Sequence, residues 1–224
     1  SARYSYDVVS ARVPNPGNAD SLIVRSNEEV NQFNARYAYT FDHGPDSATE
    51  VGLSAQYGFL YNHSTMETGN HSAFAAHAVG TYGKFNLMAS FINYTYDLEL
   101  PANDPVGDTV VAYGAYDAPY WIAAEGNIAL FNVAYASGWS LGPFEALTFY
   151  NDYSVLMKSE DGFENTVQNV LGFSGAAGPL YCYFDVAMGK NHPWIGGSWS
   201  YGLGPGVVDA DWETRFNINF GYYF

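Results

Sequence analysis

The stretch Arg215-Phe-Asn-Ile-Asn-Phe-Gly-Tyr-Tyr-Phe224 decides the fold class. In an extended chain successive side chains point to opposite faces. Phe216, Ile218, Phe220, Tyr222 and Phe224 therefore form one greasy wall, while Arg215, Asn217, Asn219 and Gly221 form a watery one. The same alternation runs through 33–42, where Phe33, Ala35, Tyr37, Tyr39 and Phe41 oppose Asn34, Arg36, Ala38, Thr40 and Asp42. It runs again through 50–61 and 180–189, and in weaker form through 3–12, 71–82, 84–97, 126–138, 143–157 and 165–175. About ten strands are predicted, each near the ~9–11 residues with which a tilted strand crosses a bilayer.

Connections supply an independent signal. Short links fall at 43–48, 83–84, 140–143 and 176–179, and longer ones at 13–28, 62–70, 98–125, 158–164 and 191–210. Strict alternation of short and long is the habit of barrels with tight turns on one side of a membrane and loops on the other. Tyr39, Phe41, Tyr82, Phe85, Trp139, Phe144, Tyr222 and Phe224 flank the short links. Rings gathered at one set of strand ends fit an interfacial girdle. The expected fold is an antiparallel transmembrane β-barrel in a single domain over 1–224.

Composition agrees. Aromatic residues make up 18% of the 224 residues and charged residues only 14%. Hydrophobic residues reach 48%, yet mean hydropathy is −0.15, so apolar and polar residues must be interleaved. No segment is apolar for long enough to be a membrane helix; 110–130 is interrupted by Asp117, Pro119, Glu125 and Gly126. No basic start followed by an apolar run is present at Ser1, so the chain is expected to be a mature protein or a fragment. The single Cys182 excludes an internal disulfide, and a net charge of −15 argues against a nucleic-acid partner.

The polar faces hold the candidates for a pore lining: Arg3, Asp7, Arg36, Gln56, Asp152, Asp185, Arg215 and Asn217, with Ser5 and Asn219 beside them. Salt-bridged packing inside a closed barrel is the competing reading. The long connection 98–125 carries Asp104, Asp108, Asp117, Tyr120 and Trp121, candidates for a constriction folded inward. Shielding of the outer mouth, or an extra strand pair within the connection, are the other options. The acidic run Ser159 to Glu164 matches no complete calcium loop. His43, His63, His71, His77 and His192 fall mostly in predicted turns and loops and show no metal-ligand spacing. No phosphate loop or nucleophile elbow is present. No cofactor, metal or catalytic activity is expected, although a hydrolase using rim histidines is a third class to weigh.

The last strand, closing on Phe220, Tyr222 and Phe224, resembles the terminal strand by which barrel-assembly machinery recognises outer-membrane proteins. With the segments Gly142 to Tyr153 and Gly189 to Trp194, it makes the last third of the chain resemble bacterial porins, closest to the phosphate-selective type and its uncharacterised relatives. The resemblance implies a sixteen-strand barrel, assembly as a homotrimer, and contact with outer-membrane lipid and lipopolysaccharide. Ten strands would then be part of a larger barrel. It does not imply phosphate selectivity, because Lys84, Lys158 and Lys190 form no basic ladder. The expected function is a passive outer-membrane channel for small hydrophilic solutes or ions; the alternative is a closed structural or adhesive barrel with functional surface loops.

Overall fold

The computed structural model describes residues 12–15, 18–115, 118–196 and 199–224. They contain thirteen strands and no helix: β1 (Arg12–Asn15), β2 (Asn18–Val24), β3 (Asn27–Gly44), β4 (Ser47–Asn62), β5 (Glu67–Tyr82), β6 (Phe85–Asp97), β7 (Val110–Ala115), β8 (Ala118–Ala123), β9 (Glu125–Ala136), β10 (Glu145–Lys158), β11 (Thr166–Ala177), β12 (Leu180–Lys190) and β13 (Glu213–Tyr222). Nine of them form one antiparallel sheet in the order β13-β12-β11-β10-β9-β6-β5-β4-β3. Every pairing joins chain neighbours except β6 to β9, where β7 and β8 form a separate hairpin.

Nine of the ten expected strands are present; the tenth, 3–12, lies outside the described residues but for Arg12. Closure is not seen: β13 and β3 are the two edges of the sheet, with no pairing between them among the described residues. The connection expected over 13–28 instead holds the β1–β2 hairpin and the start of β3. The connection expected over 62–70 shrinks to 63–66. There the Asn62 carboxamide oxygen accepts from the Ser64 and Thr65 amides, and the Met66 amide returns to the Asn62 carbonyl. An Asx turn of this kind closes a hairpin without a long loop. Length therefore does not alternate strictly, since 137–144 on the short-link side is longer than 63–66. Two of the two-residue links are 83–84 and 178–179, where Gly83 and Gly178 adopt φ of 61° and 59°. Such left-handed positions match the twist of paired strands and are cheap only for glycine.

Register fixes the two faces. One row of cross-strand partners runs Glu50, Val79, Met88, Asn132, Asp152, Val170, Ala187, Arg215, and the next runs Thr49, Gly80, Leu87, Val133, Asn151 on the opposite side. The second face is apolar and bare: Tyr37 is 74% exposed, Leu53 64%, Phe74 59% and Phe216 80%. A soluble sheet buries such a face. Along β6 the apolar residues Phe85, Leu87, Ala89 and Phe91 give way to Asn93, Thr95 and Asp97, and Asn93 bonds to Asn127 of β9 on the same face.

Most of the buried hydrophobic residues gather at the long-loop end instead, with Leu147 and Cys182 near the short links as exceptions. The β7–β8 hairpin is apolar on both faces because both are covered. Val110, Ala112 and Trp121 pack with Val106, Phe163 and Tyr201; Val111 packs with Leu60, Leu98 and Ala124, joined by Tyr96, Tyr113 and Ile122. The backbone edge of β8 is satisfied by the last long loop, with the Trp121 amide donating to Ser200 and the Ala123 amide to Leu203. On its other side the hairpin reaches the first wall strand, where the Tyr113 hydroxyl donates to Glu29 at 3.3 Å. The sheet is curled around this insert, since residues of β4, β11 and the 191–203 loop line one hollow.

Candidate functional site

The polar face of the sheet, on the side that the hairpin covers, carries three hydrogen-bonded groups. On β3 to β5, Glu50 accepts from Arg36 at 2.5 Å and contacts His77 Nε2 at 3.0 Å, and Arg36 also contacts His77 at 3.2 Å. Higher on the same strands, Gln56 bonds to Gln32 and lies 3.5 Å from His71 Nδ1. On β9 to β13, Asn132 donates to Asp152, while Asp185 accepts from Tyr150 and, at 2.9 Å, from Asn217. The two carboxylates there are held by neutral donors, with no cationic partner among the described residues. Arg215 stands beyond Ala187 in the row of Asp152 and makes no ion pair among the described residues.

Glycine makes room for this layer. A Cβ on Gly52 would meet the His77 imidazole, and one on Gly172 would meet the Asp185 carboxylate and the Tyr150 hydroxyl. These side chains therefore lie flat against the wall instead of standing out from it.

At the long-loop end the buried Arg25, 2% exposed, pairs with Asp104 at 3.0 Å and donates to the Gly107 carbonyl at 2.7 Å. Its guanidinium sits 5.3 Å from the centre of the Trp121 ring, within cation–π range. Burial pulls the Arg25 pKa down, while Asp104 and Asp108 pull it up. Asp104 also caps the Val106 and Gly107 amides, so one carboxylate orders the loop and holds the cation. Nearby, Tyr120 packs edge-on against Trp194 and Trp199, and His192 leans on Trp194. Burial lowers the pKa of His192.

The sequence-predicted residues thus separate into groups. Arg36, Gln56, Asp152, Asp185, Arg215 and Asn217 share the polar face. Asp104, Tyr120 and Trp121 belong to the hairpin region, where Trp121 is fully buried, while Asp108 is exposed at the hairpin's foot. Phe220 and Tyr222 lie on the apolar face, with Phe224 just past the end of β13. Arg3, Asp7 and Asp117 lie outside the described residues. His71 and His77 sit within β5 on the polar face, inside the strand expected over 71–82, whereas His43, expected in a short link, lies near the end of β3. Glu50, Tyr150 and Asn132 were missed as site residues, although each stands at a polar-face position of an alternating strand.

No family model, curated protein or solved structure matches this chain. Its function is read from its own geometry. Two hollows lie on the polar face and meet at Gln56, Ala73 and Ile92. The first, about 470 Å³, is bordered by Arg36 and Ser54; the second, about 410 Å³, lies under the hairpin. Among the described residues no group of His, Cys, Asp and Glu is placed to hold a metal ion. The sheet presents hydrogen-bonding groups along one face, with the apolar β7–β8 hairpin at one end.

Proposed function

We propose that this chain forms the wall and stopper of a bacterial outer-membrane channel that passes small hydrophilic solutes or ions by diffusion. The observation that carries the reading is the inverted polarity of the nine-strand sheet: its uncovered face is greasy, and its covered face is charged and hydrogen-bonded. Lipid is the solvent that suits the first face and a water-filled lumen suits the second. On β6 the apolar band from Phe85 to Asn93 spans about 8 residues. At ~3.3 Å per residue and a tilt of ~40° that is roughly 20 Å, near the ~25 Å apolar band of outer-membrane barrels.

Backbone groups on an open edge cannot be left unpaired in lipid. In this reading β3 and β13 are therefore covered by further strands, as in a larger barrel of up to sixteen strands assembled as a trimer. Phe220, Tyr222 and Phe224 serve as the signal for the assembly machinery, and the polar outward residues above Phe91 meet lipopolysaccharide. Asp152 and Asp185, unmatched by cations among the described residues, favour cation over anion flux.

Reconstitution in planar bilayers tests the reading. Stepwise conductance is expected, with a reversal potential on the cation-selective side in a salt gradient. Replacing 108–124 by a short Gly-Ser link is expected to raise the unit conductance. A silent membrane for both chains would sink the channel and favour the second reading, a closed structural barrel, which the buried hairpin at one end supports.

A further inference from the structure

The second hollow differs in chemistry from the rest of the polar face. Its floor is Ser154 of β10 and Gln168 of β11, directly opposite each other in the register. Its sides include Ile92, Ile128 and Leu156, and its roof is Ile122 of the hairpin and Leu203 of the last loop. No Asp, Glu, Lys or Arg lines it among the described residues. Most polar neighbours are already committed: the Thr166 hydroxyl donates to the Gly202 carbonyl, the Tyr94 hydroxyl to the Ala123 carbonyl, Tyr96 contacts the Tyr113 hydroxyl and Gln56 donates to Gln32, while the His192 Nδ1 at the rim is buried without a partner among the described residues. The Ser154 hydroxyl and the Gln168 carboxamide make no side-chain hydrogen bond to any described residue. They are adjacent, half-buried and face the hollow.

An unpaired hydroxyl beside an unpaired carboxamide, on the floor of an aliphatic chamber, is a polar anchor in an apolar box. Small-molecule sites are typically ~300–1,000 Å³, mostly apolar, with a few convergent polar groups. We infer that the hollow under the hairpin is a binding site for an uncharged molecule with an aromatic or alicyclic body and one amide or alcohol end. The body fills the space among Ile92, Ile122, Ile128 and Leu156, and the polar end bonds to Ser154 and Gln168. A charged analogue is rejected because no Asp, Glu, Lys or Arg lines the hollow among the described residues, burial disfavours the charged form of His192 beside it, and the lost hydration is not replaced. The site adds solute discrimination to the channel reading, but binding does not depend on ions crossing.

The test uses benzamide as the probe and benzoate as its charged counterpart, with saturation-transfer NMR on the folded chain in detergent. Saturable benzamide binding is expected, at least tenfold tighter than benzoate. Ser154→Ala with Gln168→Leu is expected to weaken benzamide at least tenfold, and Ile128→Trp, which fills the chamber, to abolish the signal. Circular dichroism of each variant checks that the sheet has formed, and Ser90→Ala, outside the hollow, should bind as the parent does. Equal binding of benzamide and benzoate, no saturable binding at all, or parent-like binding by both hollow variants would overturn the site. Conductance measured on the same preparation keeps the two readings apart: binding in a silent bilayer removes the channel and leaves the site, and conductance without binding does the reverse.

Discussion

Truncating Asp104 should release the β7–β8 hairpin without loosening the wall. The Asp104 carboxylate, 9% exposed, is the charge partner of a guanidinium that is 2% exposed, and it also caps the Val106 and Gly107 amides. Asp104→Ala leaves Arg25 buried and uncompensated. Removing one partner of a buried ion pair costs about 3–5 kcal/mol. At ~1.4 kcal/mol per tenfold, the population with the hairpin undocked rises roughly a hundredfold to several thousandfold. Arg25→Met should cost far less. Arg25 Nε and Nη1 are already buried without partners among the described residues, and an apolar side chain keeps the packing on Trp121 while Asp104 retains its two amides. A loss of ~1–2 kcal/mol or less is expected for it. Hydrogen exchange read by mass spectrometry separates 110–123 from the β6 wall at 85–97. Accelerated exchange confined to the hairpin is expected for Asp104→Ala. Equal effects of the two variants, or wall amides that speed up in step with the hairpin, would refute the reasoning.

Adjacent positions on β6 test the two faces: Ala89→Arg should destabilise the reconstituted protein by ~2–4 kcal/mol in urea titration, and Ser90→Arg by ~1 kcal/mol or less. Similar costs for the pair would mean that the apolar face does not meet lipid. Gly172→Val should cost ~1–3 kcal/mol by overpacking and should lower conductance as Tyr150 and Asp185 swing off the wall; unchanged conductance would show that this row does not narrow the lumen. Burial lowers the pKa of His192 in the folded loop. Docking of 191–196 is thus fully favoured above the ordinary value of ~6.5 and weakens as pH falls from there through the folded value, because the released loop binds the proton better. The protection of those amides, taken as the intrinsic exchange rate at each pH divided by the observed one, should fall from pH 7.5 to pH 5, and His192→Gln should flatten the dependence.

The wall was legible in the sequence because a two-faced strand must alternate, and Phe216 to Tyr222 or Phe33 to Phe41 have no other way to place greasy and watery groups. The hairpin was not legible by that rule. Val110-Val111-Ala112-Tyr113 and Tyr120-Trp121-Ile122-Ala123 are apolar on both faces, since wall and loop cover them, and a search for period two passes over such runs. Of the candidate site, Arg36, Asp152 and Asp185 were found as polar residues opposite a greasy face. Their partnerships were hidden, because register decides which strands set Glu50 beside His77 or Tyr150 beside Asp185, and register is a property of pairing. The glycines that seat these side chains, Gly52 and Gly172, carry no local signal of that role. Ser154 and Gln168 read only as ordinary polar-face residues until the hairpin roofs them.

The hairpin grips both ends of the chain's path: Arg25 and Asp104 are 79 positions apart, Tyr113 and Glu29 are 84 apart, and Trp121 is tied forward to Ser200. Contacts so distant along the chain form only after the intervening segments have found their places. The socket for Trp121 does not exist until the first strand and the last loop have been brought face to face. The indole is thus a built-in clock for biogenesis, still wet while the sheet remains splayed and dry once the curl is complete.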